Sequence, residues 1–159
     1  MRYSMVQITE GQKKRDCTEQ ILRALPGWFD VEEEITGYVE GVTDLPFWAA
    51  MDDSGNYLGF VAVKVHYGHT GDLYVLGVLR EHHGQGIGKK LLDVADQYFS
   101  DQGCKYVIVK TLSDMVESEK YEKTRQFYRR VGFQPLITLT EMWDEDSPCL
   151  LMIKDLQAR

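Results

Sequence analysis

The sequence predicts a mixed α/β (α+β) fold whose elements follow the order βααβββαβαββ. Three observations predict it. Short segments rich in aromatic and β-branched residues are separated by clusters of turn formers, as in strands joined by tight turns. A continuous apolar run at 72–79 is typical of a strand covered on both faces, and two later segments carry apolar residues at helical spacing. The chain has 159 residues, so we expect a single domain over 1–159.

The N-terminal segment predicts a strand followed by a helix. Met5–Ile8 is the expected strand. Thr9, followed three residues later by Gln12, has the pattern of a capping box, in which two side chains bond free backbone N–H groups at the start of a helix. Pro26 cannot continue that helix and is expected to stop it.

A second helix and a β-hairpin are predicted next. The helix is expected from Asp30, which places the glutamates at 32–34 in its first turn, where negative charge interacts favourably with the helix dipole. Segments 47–51 and 57–66 are rich in strand-forming residues, and the turn formers at 52–56 separate them. This pattern predicts an antiparallel pair joined by a tight turn.

The second half of the chain alternates strands and helices. After the central strand at 72–79, the pattern predicts, in order, a helix from Ile87 to Phe99 closed by Gly103, a strand at 106–109, a helix at 121–131 ended by Gly132, and strands at 133–140 and 149–153.

Composition and charge exclude several functional classes. Asp and Glu outnumber Lys and Arg by 25 to 18, for a net charge of −7, which argues against nucleic acid or an anionic membrane as a partner. No apolar stretch approaches the roughly 20 residues that span a bilayer. The segment 1–9 lacks the features of a secretory signal, so the expected location is cytoplasmic.

The three cysteines, Cys17, Cys104 and Cys149, are odd in number and widely spaced. Neither a disulfide framework nor a thiolate zinc site is indicated. We expect all three to be small buried hydrophobic residues.

The segment from His83 to Lys89 predicts an anion-binding loop. Glycines at 84, 86 and 88 lie between a predicted strand and a predicted helix, where backbone N–H groups can approach a phosphate closely. The spacing fits neither a Walker loop nor a dinucleotide fingerprint, which argues against ATP and NAD. Arg80, Lys89 and Lys90 place positive charge beside the loop, so a pyrophosphate is the expected guest. A tight turn without a ligand is the alternative.

Two motifs resemble those of the GNAT superfamily of N-acetyltransferases. Leu76-Gly77-Val78 followed by Gly84-Gln85-Gly86-Ile87-Gly88 resembles its motif A, and Phe127-Tyr128-Arg129-Arg130-Val131-Gly132-Phe133 resembles its motif B. The resemblance covers nearly the whole chain. It implies a mostly antiparallel central sheet of six to seven strands with about four helices, in which the fourth and fifth strands splay apart to admit the pantetheine arm of acetyl-CoA.

Two positions depart from the family pattern. His83 stands where an Arg or Gln usually opens the glycine loop, and Tyr121 stands where many members carry Asn. Each departure puts one polar contact to the cofactor in doubt.

The resemblance implies that the chain uses acetyl-CoA as co-substrate and needs no metal. The cofactor-binding residues that it implies are Leu76, Gly77, Val78, His83, Gly84, Gln85, Gly86, Ile87, Gly88, Lys89 and Phe127. Around Gly77 a β-bulge could free backbone N–H groups to polarise the thioester carbonyl, whereas close packing is the alternative reason for a glycine there.

Acetyl transfer to an amine also needs a general acid and a general base. By resemblance Tyr128 is the acid that protonates the departing sulfur, although an aromatic residue on an amphipathic helix can equally be a core residue. Asp72 is our first choice for the base, His66 is the alternative, and His69 is a weaker third. Alternatively, Asp72 could have only a structural role, as a turn residue at the end of the hairpin.

The acceptor is expected to be a primary amine, on a small molecule or a protein. By resemblance the substrate-binding segments contain Trp28, Phe29 and Trp143, with acidic neighbours that would attract a cationic amine. Exposed turns with ordinary surface acids are the alternative. The sequence leaves open whether the chain forms a homodimer.

Two other functions stay open. A non-catalytic acyl-CoA-binding module would keep the glycine loop and lack turnover. A metal-dependent enzyme could use His66, His69 and Asp72 with His82 and His83, but adjacent histidines on a loop do not usually face one centre.

Overall fold

The computed structural model describes residues 2–157. Within them, seven strands and four α-helices follow the predicted order. They are β1 (Tyr3–Gln7), α1 (Gly11–Arg23), α2 (Glu32–Gly41), β2 (Phe47–Asp52), β3 (Tyr57–His66), β4 (Thr70–Val78), α3 (Ile87–Asp101), β5 (Tyr106–Leu112), α4 (Glu119–Arg130), β6 (Gln134–Leu139) and β7 (Cys149–Asp155), with a short 3₁₀ turn at Arg80–His82. This confirms the predicted fold class and order.

The strands form one mixed, mostly antiparallel sheet in the order β1-β2-β3-β4-β5-β7-β6. Antiparallel pairing joins β1 to β2, β2 to β3, β5 to β7 and β6 to β7. Strand β4 lies in the middle of the order and pairs with β5 in parallel, Thr70–Asp72 against Tyr106–Ile108. A parallel pair needs a crossover connection, and α3 supplies it here.

Asp52 organises the turn of the β2–β3 hairpin. Its carboxylate accepts hydrogen bonds from the backbone N–H groups of Ser54 and Asn56, both at 2.9 Å. These bonds, with that from Asn56 as the largest contribution, lower the pKa of Asp52. Gly55 takes a φ of +83°, which a glycine adopts without steric cost. The predicted hairpin is confirmed.

The predicted capping box at the start of α1 is wrong. The N-cap residue is Glu10, one residue beyond Thr9, and no side chain caps the helix there. Gln12 bonds instead to the next turn of its own helix, donating to Asp16 at 2.8 Å and accepting from Arg15 at 2.9 Å. A residue spaced for capping is therefore equally able to bond forward along the helix.

The boundary of α2 also differs from the prediction. The helix begins at Glu32, two residues after Asp30, and the acidic first turn is confirmed. Glu32 forms a salt bridge with Arg23 at the end of α1, with an N···O distance of 2.7 Å, and the hydrogen bond from Arg23 lowers the pKa of Glu32. The glutamate thus has a structural role between two helices.

The described chain divides into two compact units. The first unit comprises the chain up to Lys64 together with Tyr74–Tyr98, and the second comprises Val65–Leu73 together with the chain from Phe99 onward. The core of the first unit joins α1 and α2 to the sheet. Its buried residues are Ile8, Cys17, Ile21, Leu22, Leu25, Ile35, Val42, Phe47, Ala49, Phe60, Ala62 and Val75.

A buried lysine anchors α1 within the first unit. Lys14 is only 7% exposed, and its ammonium donates to the carbonyl oxygens of Thr43 at 3.3 Å and Leu45 at 2.7 Å. Both acceptors follow the end of α2, so this side chain links the two helices.

The second unit packs α4 against β5 through a buried arginine. Arg125 is 4% exposed and donates to the Leu112 carbonyl oxygen at 2.7 Å and to Glu122 at 2.9 Å. Gly71 is needed in the same unit, because a Cβ atom there would lie 2.6 Å from the ring of Phe99.

All three cysteines are buried and free, as expected. Burial raises the pKa of Cys17, Cys104 and Cys149, which keeps their thiols neutral and unreactive. In the part of the chain that the structure describes, no helix is long and apolar enough to cross a membrane.

Candidate active site

The glycine loop before α3 has the geometry of an anion cradle. Gly84 and Gly86 take φ angles of +79° and +84°, and no atom lies within 4 Å of the position that a Cβ would occupy at either glycine. Helix α3 begins at Ile87, and the first N–H groups of a helix have no acceptor within it. Open space and unpaired helix N–H groups are the features with which a protein binds a phosphate group.

His83 connects the loop to the end of β4. Its Nε2 atom lies 2.7 Å from the Val78 carbonyl oxygen, which can only accept, so the imidazole donates this bond. The ring also meets the edge of Trp28, with centroids 5.6 Å apart. The residue that departs from the family pattern is therefore tied to the protein's own backbone.

The lysines beside the loop have partners of their own. Lys89 forms an exposed salt bridge with Asp93 at 3.2 Å, and the Lys90 ammonium lies 5.0 Å from the ring centroid of Tyr3. Because both ammonium groups already have partners, we expect the backbone N–H groups of the loop, rather than these two lysines, to provide most of the positive potential that attracts an anion.

In strand β4, burial alternates regularly from Leu73 to Val78, just before the loop. Val75 is buried in the core cluster of the first unit, and the partly buried Tyr74 packs against that cluster. A Cβ at Gly77 would lie 3.0 Å from Leu25 and 3.1 Å from Ile21, so close packing by itself accounts for that glycine.

Three aromatic side chains, those of Phe29, Tyr38 and Tyr74, form an aromatic row beside the substrate-binding segment proposed from the sequence. Phe29 meets Tyr38 edge-on at a centroid distance of 6.0 Å, and Tyr38 meets Tyr74 at 5.4 Å. The Lys64 ammonium lies 4.3 Å from the ring centroid of Tyr74. Sequence reasoning singled out Phe29 and Trp28 and missed the two tyrosines, whose only signal was their position on elements flanking that segment.

In the second unit, His66 and Asp72 form a close pair. The His66 Nε2 atom lies 2.7 Å from Asp72 Oδ2, and the side chains are 42% and 5% exposed. Asp72 does not open β4 as predicted, since the strand begins at Thr70. The two base candidates are therefore contacting partners, with the imidazole toward solvent and the carboxylate buried.

The side chain of Lys110 also lies close to this pair. It lies on β5, with its Nζ atom 3.7 Å from Asp72 Oδ2 and 32% of its side chain exposed. Sequence reasoning missed it. The signal was a single charged residue in the segment Val107–Leu112, which is apolar apart from Lys110 and Thr111, and a charge at such a position needs a partner.

Tyr128 lies on α4 in the same unit and is 6% exposed. Its ring contacts those of Phe127 and Phe133, each at a centroid distance of 5.6 Å. Arg125, three residues earlier, fixes the helix to the end of β5. The ring of Tyr128 is therefore buried between aromatic neighbours.

The other predicted residues lie in exposed or half-buried positions. Trp143 follows β6 and is 40% exposed, and Trp28 and Phe29 are half-buried after α1. The remaining imidazoles bond elsewhere, His69 to Thr70 and His82 to Gln85. No group of three or more metal-ligating side chains occurs within residues 2–157.

Comparison with known proteins identifies the family. Residues 43–135, more than half of the chain, match the family model described as "Acetyltransferase (GNAT) domain". The chain therefore belongs to the GNAT family of acetyltransferases, which confirms the resemblance found in its motifs.

A relative found by sequence comparison agrees with this assignment. The chain is 36% identical over 105 residues to mycothiol acetyltransferase of Arthrobacter sp. (strain FB24), an alignment that covers 63% of this chain and 28% of that protein. The chain thus spans little more than a quarter of that relative's length.

Solved structures share the fold. An acetyltransferase of the GNAT family from Desulfovibrio desulfuricans superimposes with a TM-score of 0.83 at 17% identity, covering 98% of this chain and 99% of that one. Aminoglycoside 6'-N-acetyltransferase complexed with coenzyme A gives a TM-score of 0.75 at 18% identity, covering 100% and 99%. At these identities the likeness concerns the fold alone.

Proposed function

We propose that this protein transfers an acetyl group from acetyl-CoA to a primary amine by direct attack in a ternary complex. The observation that carries the proposal is the loop Gly84–Gly88, whose left-handed glycines leave open space at the start of α3. The family match covers parts of both compact units, which supports a single catalytic domain over 1–159.

In this proposal the cofactor is held mainly by main-chain groups. Backbone N–H groups of the glycine loop and of the first turn of α3 bind the pyrophosphate. Backbone groups of Leu76–Val78, with the side chain of Phe127, accompany the pantetheine, as the motif resemblance implies. Ile87 is 1% exposed, so its contribution to cofactor binding is through its N–H group.

Acetyl-CoA supplies an activated acyl group in the form of a thioester. As the amine nitrogen forms its bond to the carbonyl carbon, the His66–Asp72 pair takes the amine proton. Backbone N–H groups of the Gly77 and Val78 region, as the motif resemblance implies, stabilise the negative charge that develops on the carbonyl oxygen. The carbon–sulfur bond then breaks, and Tyr128 gives its proton to the sulfur.

The proposed acceptor is an amine partly covered by aromatic side chains. Trp28 and Phe29 are half-buried, and Trp143 is 40% exposed. The name of the relative that matches in sequence, a mycothiol acetyltransferase, supports polar amines as the first acceptors to test.

A matched pair of glycine substitutions tests the cofactor loop. Gly86→Ala and Gly55→Ala introduce the same strain, because both glycines have φ near +84° and open space around them. We expect comparable losses of stability, but only Gly86→Ala should weaken coenzyme A binding in calorimetry, by about tenfold or more. Equal affinity of both variants for coenzyme A would contradict the proposed cradle.

Thiol release tests the reaction itself. Purified protein is incubated with acetyl-CoA and a panel of amines, and free thiol is measured. We expect release with at least one polar amine, and a loss of roughly 10²-fold or more in Tyr128→Phe. Binding of acetyl-CoA without thiol release from any amine would favour a non-catalytic acyl-CoA-binding module instead.

A further inference from the structure

The segment that follows α1 is held beside the end of β4. Leu25 approaches the strand at Gly77, where a Cβ atom would lie only 3.0 Å from the Leu25 Cδ1 atom. The Leu25 carbonyl oxygen accepts hydrogen bonds from the backbone N–H groups of Trp28 and Phe29, at 3.2 and 3.1 Å. The segment is therefore an ordered turn whose first residue packs against β4.

His83 connects this turn to the glycine loop. Its ring meets that of Trp28 edge-on, with centroids 5.6 Å apart and an interplanar angle of 78°. The same imidazole donates to the Val78 carbonyl oxygen at 2.7 Å, and His83 immediately precedes Gly84. Trp28 thus lies against the residue that joins the end of β4 to the loop.

The ring of the next residue along the chain contacts a different group. Phe29 meets Tyr38 edge-on at a centroid distance of 6.0 Å and belongs to the aromatic row. Trp28 and Phe29 are both half-buried, so part of each residue is accessible to a ligand. The motif resemblance groups these two residues together beside the acceptor, whereas their contacts place them against different parts of the first unit.

We propose that Trp28 binds the cofactor, whereas Phe29 stays on the acceptor side. The glycine loop has open space for a pyrophosphate, and the resemblance places the pantetheine along Leu76–Val78. His83, which Trp28 contacts, joins these two places. The part of the pantetheine nearest the pyrophosphate carries two methyl groups, which an indole ring can cover. The inference rests on the proposed function and moves one of its three aromatic acceptor residues to the cofactor.

The backbone of the turn is ordered before any ligand binds. Gly27 takes a left-handed φ of +92°, and its N–H group donates to the Asp30 carboxylate at 2.7 Å. This bond and the two bonds to Leu25 hold the backbone on both sides of Trp28. Because an ordered group loses little conformational entropy on binding, most of the contact should appear as affinity.

Two ligands that differ in the pantetheine arm test the inference by calorimetry. Coenzyme A has the arm, whereas adenosine diphosphate has a pyrophosphate and no arm. Trp28→Leu should weaken the binding of coenzyme A by about five- to tenfold and leave that of adenosine diphosphate unchanged, because only the arm loses a contact. Phe29→Leu, at the adjacent and also half-buried position, is the matched control and should bind both ligands as the wild type does.

Tryptophan fluorescence gives a readout that does not depend on turnover. The chain contains three tryptophans, of which Trp48 is buried against Tyr98. Coenzyme A should change the emission of the wild type and of Trp143→Phe, but not that of Trp28→Phe. If circular dichroism shows that Trp28→Leu does not fold, Trp28→Phe takes its place in calorimetry, with an expected loss of about threefold because a smaller ring remains.

The outcomes separate this inference from the proposed function. Equal affinity of the wild type and a folded Trp28 variant for coenzyme A, or an equal loss for both ligands, overturns the role of Trp28. A wild type that binds coenzyme A but releases no thiol contradicts the proposed acetyl transfer, while the comparison of Trp28 variants still decides the contact. A wild type that does not bind coenzyme A at millimolar concentration contradicts both proposals.

Discussion

Two glycines of α2 show how closely single residues are constrained. A Cβ at Gly41 would collide with the Tyr74 hydroxyl and lie 2.9 Å from its Cζ atom, whereas a Cβ at Gly37, one turn earlier, would meet nothing within 4 Å. Tyr74 belongs to the aromatic row, so the absence of a side chain at position 41 is what allows its ring to reach Tyr38.

We therefore expect opposite effects from Gly41→Ala and Gly37→Ala. Gly41→Ala should lower the free energy of unfolding by about 1–3 kcal/mol, because a ring in a packed row has to move. Gly37→Ala should raise it by about 0.5–1 kcal/mol, the ordinary gain from replacing a helical glycine. Urea unfolding of both variants is the measurement. A destabilisation of equal size in both would contradict the steric explanation.

The sequence indicates individual candidate residues but not the contacts between them. Asp72 and His66 were proposed as rival bases, and the structure shows that they contact each other. The sequence shows which residues are close along the chain, but it does not show which side chains contact each other in the fold. Lys110 was missed for a similar reason, because its partner is 38 residues away and on a different strand.

At the scale of elements, the buried Lys14 links α1 to the segment that follows α2. Its neighbour Lys13 is exposed and forms only a surface ion pair with Glu10, whereas Lys14 is buried and donates to two carbonyl oxygens that follow α2. Two lysines that are adjacent in sequence therefore differ in function within one helix.

Lys14→Met should cost about 1–3 kcal/mol of unfolding free energy, because methionine retains an apolar stem but leaves both carbonyls without their donor. Lys13→Met should change it by less than about 0.5 kcal/mol. Thermal or chemical denaturation of the two variants checks this. Similar values for both would show that the buried hydrogen bonds contribute little.

The order and type of the helices and strands were predictable because the periodicity of apolar residues and the clusters of turn-forming residues are local features of the sequence. The β2–β3 hairpin followed from its cluster of turn formers, and the glycine loop into α3 from its spacing. Element ends were less predictable. The start of α1 depended on whether Gln12 bonds backward to a cap or forward to Asp16, and the spacing of the residues alone does not decide between these two bonds.

At the scale of the whole molecule, stability should depend on pH through carboxylates that are paired in the folded chain. The hydrogen bond from Arg125 holds the pKa of Glu122 below its ordinary value of 4.5. A carboxyl group with a lowered folded pKa stabilises the protein above its unfolded pKa, and this contribution is lost as the pH falls through the folded value. Asp52 and Glu32 act with the same sign.

The melting temperature should therefore fall as the pH is lowered from about 5 to 3, and Glu122→Gln should show a shallower fall over that range. Glu145→Gln, on an exposed loop, is the matched control and should follow the wild type. Differential scanning fluorimetry across the pH series is the measurement. A wild-type slope in Glu122→Gln would show that the pairing with Arg125 contributes little.

The turn between β3 and β4 has a consequence for how the molecule folds. Tyr67 takes a left-handed φ of +55° and Gly68 one of +72°, so the chain reverses tightly and brings together two groups only six positions apart. Closing so short a loop costs little chain entropy, and hairpins form within microseconds. The His66–Asp72 contact can thus assemble during the earliest collapse of the polypeptide, well before distant strands have found their neighbours.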